Sequence, residues 1–196
     1  MTTWYEIIII GSAKAARAFL AGFEAGSGSG RVVIDASDAG IDTAHHPDSL
    51  IDRLRTGAHA AFLAPAEVAG RLLAGLTDYG RGCDLEVGSV SEVTSARFDF
   101  SVEIFSETAA AEVRLALVET PPDGVEVADY KERVQRDASA RGAELYTPAH
   151  SYAFHASGRV HGNLPGVLEV HRRARNLAFV KAGEIRLETA PAALRP

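Results

Sequence analysis

The chain has 196 residues, of which 46% are hydrophobic and 23% charged, and its net formal charge is −6. This composition is typical of a globular protein and argues against extensive disorder. An acidic chain without a basic block gives no basis for binding nucleic acid, because that affinity comes from clustered Lys and Arg. No stretch approaches the roughly 18–20 apolar residues that cross a bilayer, so we expect no membrane partner.

Cys83 is the single cysteine, and an intramolecular disulfide is therefore excluded. This fits a reducing compartment, and the first residues lack the basic start and apolar run of a secretory signal. We therefore predict a cytoplasmic location. Asp84 and Glu86 would raise the pKa of a neighbouring thiol, so we interpret Cys83 as structural.

The first part of the chain alternates strand and helix patterns. Its predicted strands are Tyr5–Ile10, Arg31–Asp35 and Ala60–Ala64. Each is followed by a predicted helix, over Ala13–Ala25, Asp48–Arg55 and residues 65–79. This order predicts a three-stranded parallel β-α-β-α-β-α unit over residues 1–82, joined by right-handed crossovers.

The second part, residues 83–196, predicts a mainly antiparallel α+β unit. The predicted strands are Leu85–Val93, Ala96–Phe105, Glu112–Glu119 and Leu177–Leu187, with a hairpin around Ser157–Gly158. The predicted helices are Val125–Arg141, which is polar, and Leu164–Arg175. The fold class is thus mixed α/β, and the sequence leaves open whether the two parts form one continuous domain.

The first candidate site is the turn between the first strand and the first helix. Gly11, Ser12 and Lys14 would place backbone N–H groups, a hydroxyl and an ammonium at a helix N-terminus, where anions bind readily. Asp35 ends the second predicted strand, at about the place where dinucleotide sites hold a ribose. We therefore predict Gly11, Ser12, Lys14 and Asp35 as ligand-binding residues.

This turn departs from the known phosphate-binding motifs. The dinucleotide fingerprint has three glycines, and its later two positions are Ala13 and Ala16 here. The Gly-Lys-Ser/Thr of a nucleotide-binding P-loop is missing as well. Three interpretations stay open: a plain turn with a surface lysine, a site for a small anion or carboxylate, and a dinucleotide site.

The second candidate site is a cluster of three histidines, His150, His155 and His161. Because strand side chains alternate between faces, at most two of the three can cooperate in a regular hairpin. That number is short of a three-ligand metal site, and we predict no metal residues. We predict the three as candidate general acid/base residues, and the alternative is that they are half-exposed strand residues.

The leading functional hypothesis is a small-molecule enzyme or ligand-binding protein that binds an anionic molecule at the first turn and uses a histidine for proton transfer. A second is a non-catalytic homodimer, whose interface would cover the apolar strand faces of Phe98–Ile104 and Val113–Leu117. A third is a histidine-ligated metal protein. Whether the chain is an enzyme, and which cofactor it uses, the sequence leaves unknown.

Overall fold

A computed structural model of the chain describes residues 2–27, 32–42, 48–136 and 152–192. Of the described residues, 41% are helical and 42% are in strands, and the nine strands form a mostly antiparallel sheet. The chain forms two compact units: unit 1 is Met1–Ser95 with Arg186–Pro196, and unit 2 is Ala96–Ile185. The predicted boundary after residue 82 would separate two parts that fold independently, and it stays a prediction.

Unit 1 begins with strand β1 and helix α1, and its elements follow in chain order. They are β1 (Trp4–Ile10), α1 (Ala13–Ser27), β2 (Ile34–Asp35), α2 (Ala36–Ala39), β3 (Ile41–Asp42), α3 (Asp48–Thr56), β4 (His59–Pro65), α4 (Ala66–Gly80), the first part of β5 (Glu86–Ile104) and most of a late strand, Ile185–Pro191. The three long helices confirm the predicted helices of this region to within two residues.

The strands of unit 1 are ordered β2-β4-β1-β5. Each neighbouring pair in this order is antiparallel, with Ile8 opposite Ala61 on β4 and Ser89 on β5. The two β-α-β connections therefore each skip one place in the sheet, and an antiparallel strand fills it. This is the split β-α-β, or ferredoxin-like, arrangement.

The predicted parallel unit over residues 1–82 is wrong. β1 and β2 do run in the same direction, but β4 lies between them and is antiparallel to both. The apolar run Ile7–Ile10 indicates a strand buried on both faces, as parallel strands usually are. That pattern reports burial, however, and it does not report the direction of the neighbouring strand.

The sheet of unit 1 is covered on both faces. On one face, Ile7 and Ile9 pack against α1 and α4, in a core that includes Leu20, Leu72 and Leu76. Ile8 points to the other face and is fully buried as well. On that side Leu50 of α3 lies close to Gly88, where an added Cβ would come within 3.4 Å of Leu50 Cδ1.

Unit 2 repeats the same order of elements. It contains the second part of β5, α5 (Glu107–Arg114), a π-helical turn (Leu115–Glu119), β6 (Val125–Arg136), β7 (Tyr152–Gly162), α6 (Leu164–Asn176) and β8 (Val180–Ala182). The remaining strand, Ile185–Pro191, is β9. The strand order is β6-β7-β5-β8, and all three pairs are antiparallel. Unit 2 is therefore also a split β-α-β unit.

Three predictions in this region are wrong. Glu112–Glu119 is helical, because Ala110, Val113 and Leu117 are buried at helical spacing whereas Leu115 is 55% exposed. Residues Val125–Arg136 form a strand where a polar helix was predicted. No hairpin turns at Ser157–Gly158, since β7 runs through both residues without a break. The predicted helix Leu164–Arg175 is confirmed.

The sheet of unit 2 is buried on one face. Phe98, Phe100, Val102 and Ile104 of β5 are at most 5% exposed, whereas Asp99, Ser101 and Glu103 between them are exposed. The apolar strand face that motivated the homodimer hypothesis is thus already covered within the chain, and that argument for a dimer no longer applies.

Candidate functional site

The predicted anion site at the first turn lies in unit 1, and two of its polar groups already make bonds within the chain. The N–H of Gly11 donates to the carbonyl of Ala58 at 2.9 Å. The hydroxyl of Ser12 accepts a bond from the N–H of Ala15 at 3.3 Å and so caps α1. Lys14 is exposed. An anion site at this turn stays a prediction.

Gly11 has a structural reason to be glycine. Its φ of 127° lies in a region that favours glycine, and an added Cβ would collide with the carbonyl oxygen of Asp84. The space beside Gly11 is therefore filled by the chain itself.

Asp35 is the buried N-cap of α2. Its Oδ1 accepts bonds from the N–H and hydroxyl of Ser37 at 3.0 and 2.9 Å, and Oδ2 accepts from Arg17 Nε at 2.8 Å. Burial by itself would raise the pKa of Asp35, but the bonds from Arg17 and Ser37 outweigh it and hold the pKa below its usual value. With both oxygens engaged, Asp35 has a structural role in this fold, and its predicted binding role is untested.

Two of the three candidate histidines lie in unit 2, on β7. His155 and His161 are six residues apart on one strand, so they share a face. His155 is exposed and His161 is half-buried. His150 lies outside the described residues. The predicted assembly of these rings with Gly11, Ser12 and Lys14 of unit 1 remains a prediction.

A fourth histidine, His171 on α6, is buried and is not among the predicted candidates. Its Nε2 lies 3.0 Å from the carbonyl oxygen of Gly183, and its ring meets the ring of Phe98 edge-on at 4.9 Å. Because a carbonyl only accepts, Nε2 carries the proton. Burial lowers the pKa of His171, so the ring is neutral at pH 7.

The face of the unit 2 sheet opposite its buried side is lined by polar side chains. We call it the open face; its members alternate with the buried residues along β5, β7, β6 and β8. They are Arg97, Asp99, Ser101, Glu103, Glu126, Lys131, Arg133, His155, Ser157, Arg159, His161 and Lys181. Side chains that are paired across neighbouring strands lie about 4.5–5.5 Å apart at their Cβ atoms.

One half of the open face is neutralised by internal ion pairs. Arg159 Nε bonds Asp99 Oδ1 at 2.9 Å, and its Nη1 lies 3.4 Å from Asp129 Oδ2. His161 Nε2 lies 3.5 Å from Glu126 Oε2. These side chains have partners within the chain and offer little unbalanced charge to a ligand.

The other half carries unbalanced positive charge, and we call it the cationic half. One row across the sheet pairs Lys181 with Ser101, Ser101 with Ser157, and Ser157 with Lys131. The next row pairs Glu103 with His155 and His155 with Arg133. Within the described residues, these seven side chains have no hydrogen-bond or ion-pair partner.

The chain has only three lysines, and two of them, Lys131 and Lys181, lie in this single row. The row crosses four strands, so their Cα atoms are about 14 Å apart, with two serine hydroxyls between them. The third lysine, Lys14, lies at the turn in unit 1. Sequence spacing alone could not have grouped Lys131 with Lys181, because the register of four strands brings them together.

A β-bulge sets which side chains of β6 reach the open face. The pairing with β7 shifts between Ala128 and Lys131, so that Asp129 and Tyr130 together oppose Gly158. Asp129 has a φ of 55°, a left-handed conformation that Asp tolerates better than most residues. Beyond the bulge, Lys131 and Arg133 pair with the outward-facing Ser157 and His155.

A groove of about 400 Å³ lies along the cationic half. It is lined by Ser101, Val102, Glu103, His155, Ala178, Phe179 and Lys181, all in unit 2. Volumes of 300–1,000 Å³ are typical of small-molecule sites. The groove combines an ammonium, an imidazole, a hydroxyl and a carboxylate with one aromatic ring.

A second cavity, of about 270 Å³, lies in unit 1 beside the end of α4. Its lining is Ile9, Leu76, Thr77, Gly80, Arg81, Leu85, Glu86 and Val87. The charged groups at its rim already have partners: Glu86 bonds Arg53 at 2.7 Å, and Arg81 lies 3.9 Å from Asp78. This cavity offers an apolar surface with little unpaired polar chemistry.

The described residues contain no group of three or more His, Cys, Asp or Glu side chains placed to hold a metal ion. No ligand cluster in this part of the chain therefore supports the hypothesis of a histidine-ligated metal protein. In the same residues, no helix has both the length and the apolar character to cross a membrane.

Comparison with known proteins found no matching family model and no matching curated protein. Among solved structures, the chain is similar to the crystal structure of an unknown protein from Galdieria sulphuraria, with 14% sequence identity. The match covers 97% of this chain and 99% of that chain, with a TM-score of 0.28. A likeness this weak carries no argument about fold or function.

Proposed function

We propose that this protein binds a small anionic molecule on the cationic half of the open face of unit 2. The observation that carries the proposal is the row Lys181–Ser101–Ser157–Lys131 next to Arg133 and His155, without internal partners among the described residues. The location differs from the predicted turn at Gly11–Lys14, whereas the class of ligand is the one that the sequence suggested.

Charge supports an anion over a cation or a neutral molecule. The cationic half contains three permanent cations, Lys131, Arg133 and Lys181, and one carboxylate, Glu103. His155 adds positive charge when it is protonated. The whole chain has a net charge of −6, so this local excess opposes the average. A surface of one sign raises the local concentration of the opposite ion and speeds its binding.

The chemistry of the site favours binding over covalent catalysis. Ser101, Ser157, His155 and Glu103 form a block of neighbours, which resembles the side-chain set of a serine hydrolase. The oxyanion of such a reaction is commonly stabilised by free backbone N–H groups, but β5 and β7 are inner strands whose N–H groups bond to strands on both sides. His155 keeps its predicted role as a proton-transfer group within the proposal.

Single-stranded nucleic acid is less well supported than a small molecule. Sheets that bind it stack the bases on aromatic side chains of the central strands. On the central strands of unit 2, β5 and β7, the outward residues from Asp99 to Glu103 and from His155 to His161 include no Phe, Tyr or Trp. The predicted cytoplasmic location belongs to the same proposal and rests on the sequence alone.

The three lysines make a direct test possible. Reductive methylation with ¹³C-formaldehyde labels Lys14, Lys131, Lys181 and the N-terminus, and each gives its own NMR signal, assigned with single Lys→Arg variants. Titration with inorganic phosphate should shift the signals of Lys131 and Lys181 while leaving that of Lys14 in place. A shift confined to Lys14 would place the anion site at the turn in unit 1 and contradict the proposal. If the signals of all three lysines stay in place, anion binding is refuted at both locations.

Charge-removing variants give the matched controls. Lys131→Gln and Lys181→Gln should each weaken phosphate binding by up to about fivefold, because an exposed ion pair contributes at most about 1 kcal/mol. Lys14→Gln, which removes the same charge from unit 1, should leave the affinity unchanged. Equal effects of all three substitutions would mean that only the net charge of the protein matters.

A further inference from the structure

One aromatic ring lines the groove on the open face. Phe179 lines the groove together with Lys181, and its side chain is 51% exposed. Phe179 lies in the turn that leads into β8, where the N–H of Val180 donates to the carbonyl of Leu177 at 3.0 Å, and Lys181 follows within β8. Two residues span at most about 7 Å, so the groove has an aromatic side chain and an ammonium within the length of one small molecule.

Glu103 adds a third chemical feature at the same place. It lines the groove beside Phe179 and Lys181, and within the described residues its carboxylate has no partner. A carboxylate accepts hydrogen bonds and repels other anions. It thus favours a ligand that presents an N–H or O–H group there and keeps its negative charge towards Ser101 and Lys181.

We propose that the ligand is an anion that carries a flat ring, with the ring stacked on Phe179 and the anionic group on Lys181, Ser101 and His155. The inference rests on the proposed function, since it names the class of anion bound at the same site. An aromatic face contributes specificity for rings, because stacking needs a planar partner whereas contact with an aliphatic chain gains little from planarity.

The test compares ring-bearing anions with matched anions that lack a ring. The probes are phenyl phosphate against methyl phosphate, and benzoate against acetate, titrated into the full chain and followed by calorimetry and by the ¹³C-methyl signal of Lys181. Phenyl phosphate should bind about tenfold more tightly than methyl phosphate, the size expected for stacking on one side chain. The benzoate pair shows whether a carboxylate can replace the phosphate.

Variants at Phe179 identify the ring partner. Phe179→Ala should abolish the preference for the ring-bearing probe and leave methyl phosphate binding unchanged, whereas Phe179→Tyr should restore the preference. Leu115→Ala is the control, because it removes another exposed apolar side chain, 55% exposed, that does not line the groove. Since Phe179 is half-exposed, its truncation should not unfold the protein, which a thermal melt verifies.

The outcomes separate the two proposals. If neither phenyl phosphate nor methyl phosphate binds, the proposed anion site itself is wrong. If both members bind with equal affinity, or if Phe179→Ala retains the preference, the anion site stands and the ring inference is overturned. If the preference survives Phe179→Ala but is lost in Leu115→Ala, the ring binds elsewhere and the inference is again overturned.

Discussion

The two units share one strand order and differ in how their sheets meet the solvent. In unit 1 the central strand β1 is buried on both faces, with Ile7, Ile8 and Ile9 at most 2% exposed. In unit 2 the central strands bury every second residue and expose those between, as Phe98 and Asp99 do. The same topology can therefore build a two-sided core or a sheet with one free surface.

This difference bears on where a ligand can bind. A sheet covered on both faces offers ligands only its ends and edges, whereas a sheet covered on one face offers a rigid polar surface. In unit 1 the N–H groups of Gly11 and Ala15 near the first turn are used by the chain, in bonds to Ala58 and Ser12. In unit 2 the side chains of Ser101 and Glu103 stand free on the surface. The polar chemistry available to a ligand is thus concentrated in unit 2.

The largest expected effect tests whether the second face of unit 1 is a true core. Ile8→Ala should destabilise the protein by about 2–5 kcal/mol, the usual cost of truncating a buried isoleucine. Ser157→Ala, on the free face of unit 2, should change the free energy of unfolding by less than about 0.5 kcal/mol. Urea denaturation of both variants measures the contrast, and equal small effects would show that Ile8 packs against little.

A smaller effect is expected from the polar contacts that each unit makes. Asp35→Ala should cost about 1–2 kcal/mol, since it removes the cap of α2 and the partner of Arg17. Asp35→Asn should cost less than half as much, because Asn also caps helices. In unit 2, Glu132→Ala breaks the two-bond pair with Arg114 at 2.9 and 3.1 Å.

Glu132 and Arg114 are both partly exposed, so the Glu132→Ala cost should stay at or below about 1 kcal/mol. Thermal melts of the three variants give the ranking. If Glu132→Ala lowers the melting temperature most, the exposed ion pair of unit 2 contributes more to stability than its exposure implies. The expected ranking, with the buried Asp35 of unit 1 first, would then be wrong.

The smallest effect is a pH dependence that belongs to unit 2. Burial lowers the pKa of His171 in the folded state, so the unfolded chain binds more protons at mildly acidic pH. The contribution of neutral His171 to stability is complete above its unfolded pKa of about 6.5 and decreases as the pH falls below that value. Stability measured between pH 7.5 and 5 should therefore decline in the wild type and decline less in His171→Gln.

His155→Gln serves as the matched control, because it makes the same substitution at an exposed histidine of the same unit. A wild-type stability that is flat over the same range, or a slope that His155→Gln removes and His171→Gln keeps, would contradict the assignment to the buried ring.

The sequence predicts most helices of this fold but not the directions of its strands. Helical periodicity and N-caps are local signals, and they located α1, α3, α4 and α6. Strand direction depends on which strand fills the place between two others, and no local pattern reports it. Residues 112–119 were misassigned because Val113, Leu115 and Leu117 alternate like a strand, although burial at Ala110, Val113 and Leu117 follows a helix.

The candidate site could be predicted only in part. The sequence identified His155 as a candidate and favoured an anionic ligand, and both remain in the proposal, whereas His161 lies near Glu126 in the neutralised half. It could not find Lys131, Lys181 and Glu103, since they come from three strands whose registers are set by the whole sheet. Asp35 looked like a ligand-binding acid because it ends a strand, and only coordinates show that both of its oxygens have partners.

The bulge at Asp129 and Tyr130 sets the phase in which every later residue of β6 alternates. Deleting either residue would leave a regular ladder in which Lys131 and Arg133 still oppose Ser157 and His155, because the bulge is what absorbs the extra residue. If both residues stayed and the bulge were straightened into regular alternation, Tyr130 and Glu132 would oppose Ser157 and His155 instead. The two cations would then turn towards the buried side, which now carries Phe154 and Ala156. The bulge thereby preserves the sign of charge along this edge, so we expect this segment to tolerate the loss of one residue better than the gain of one.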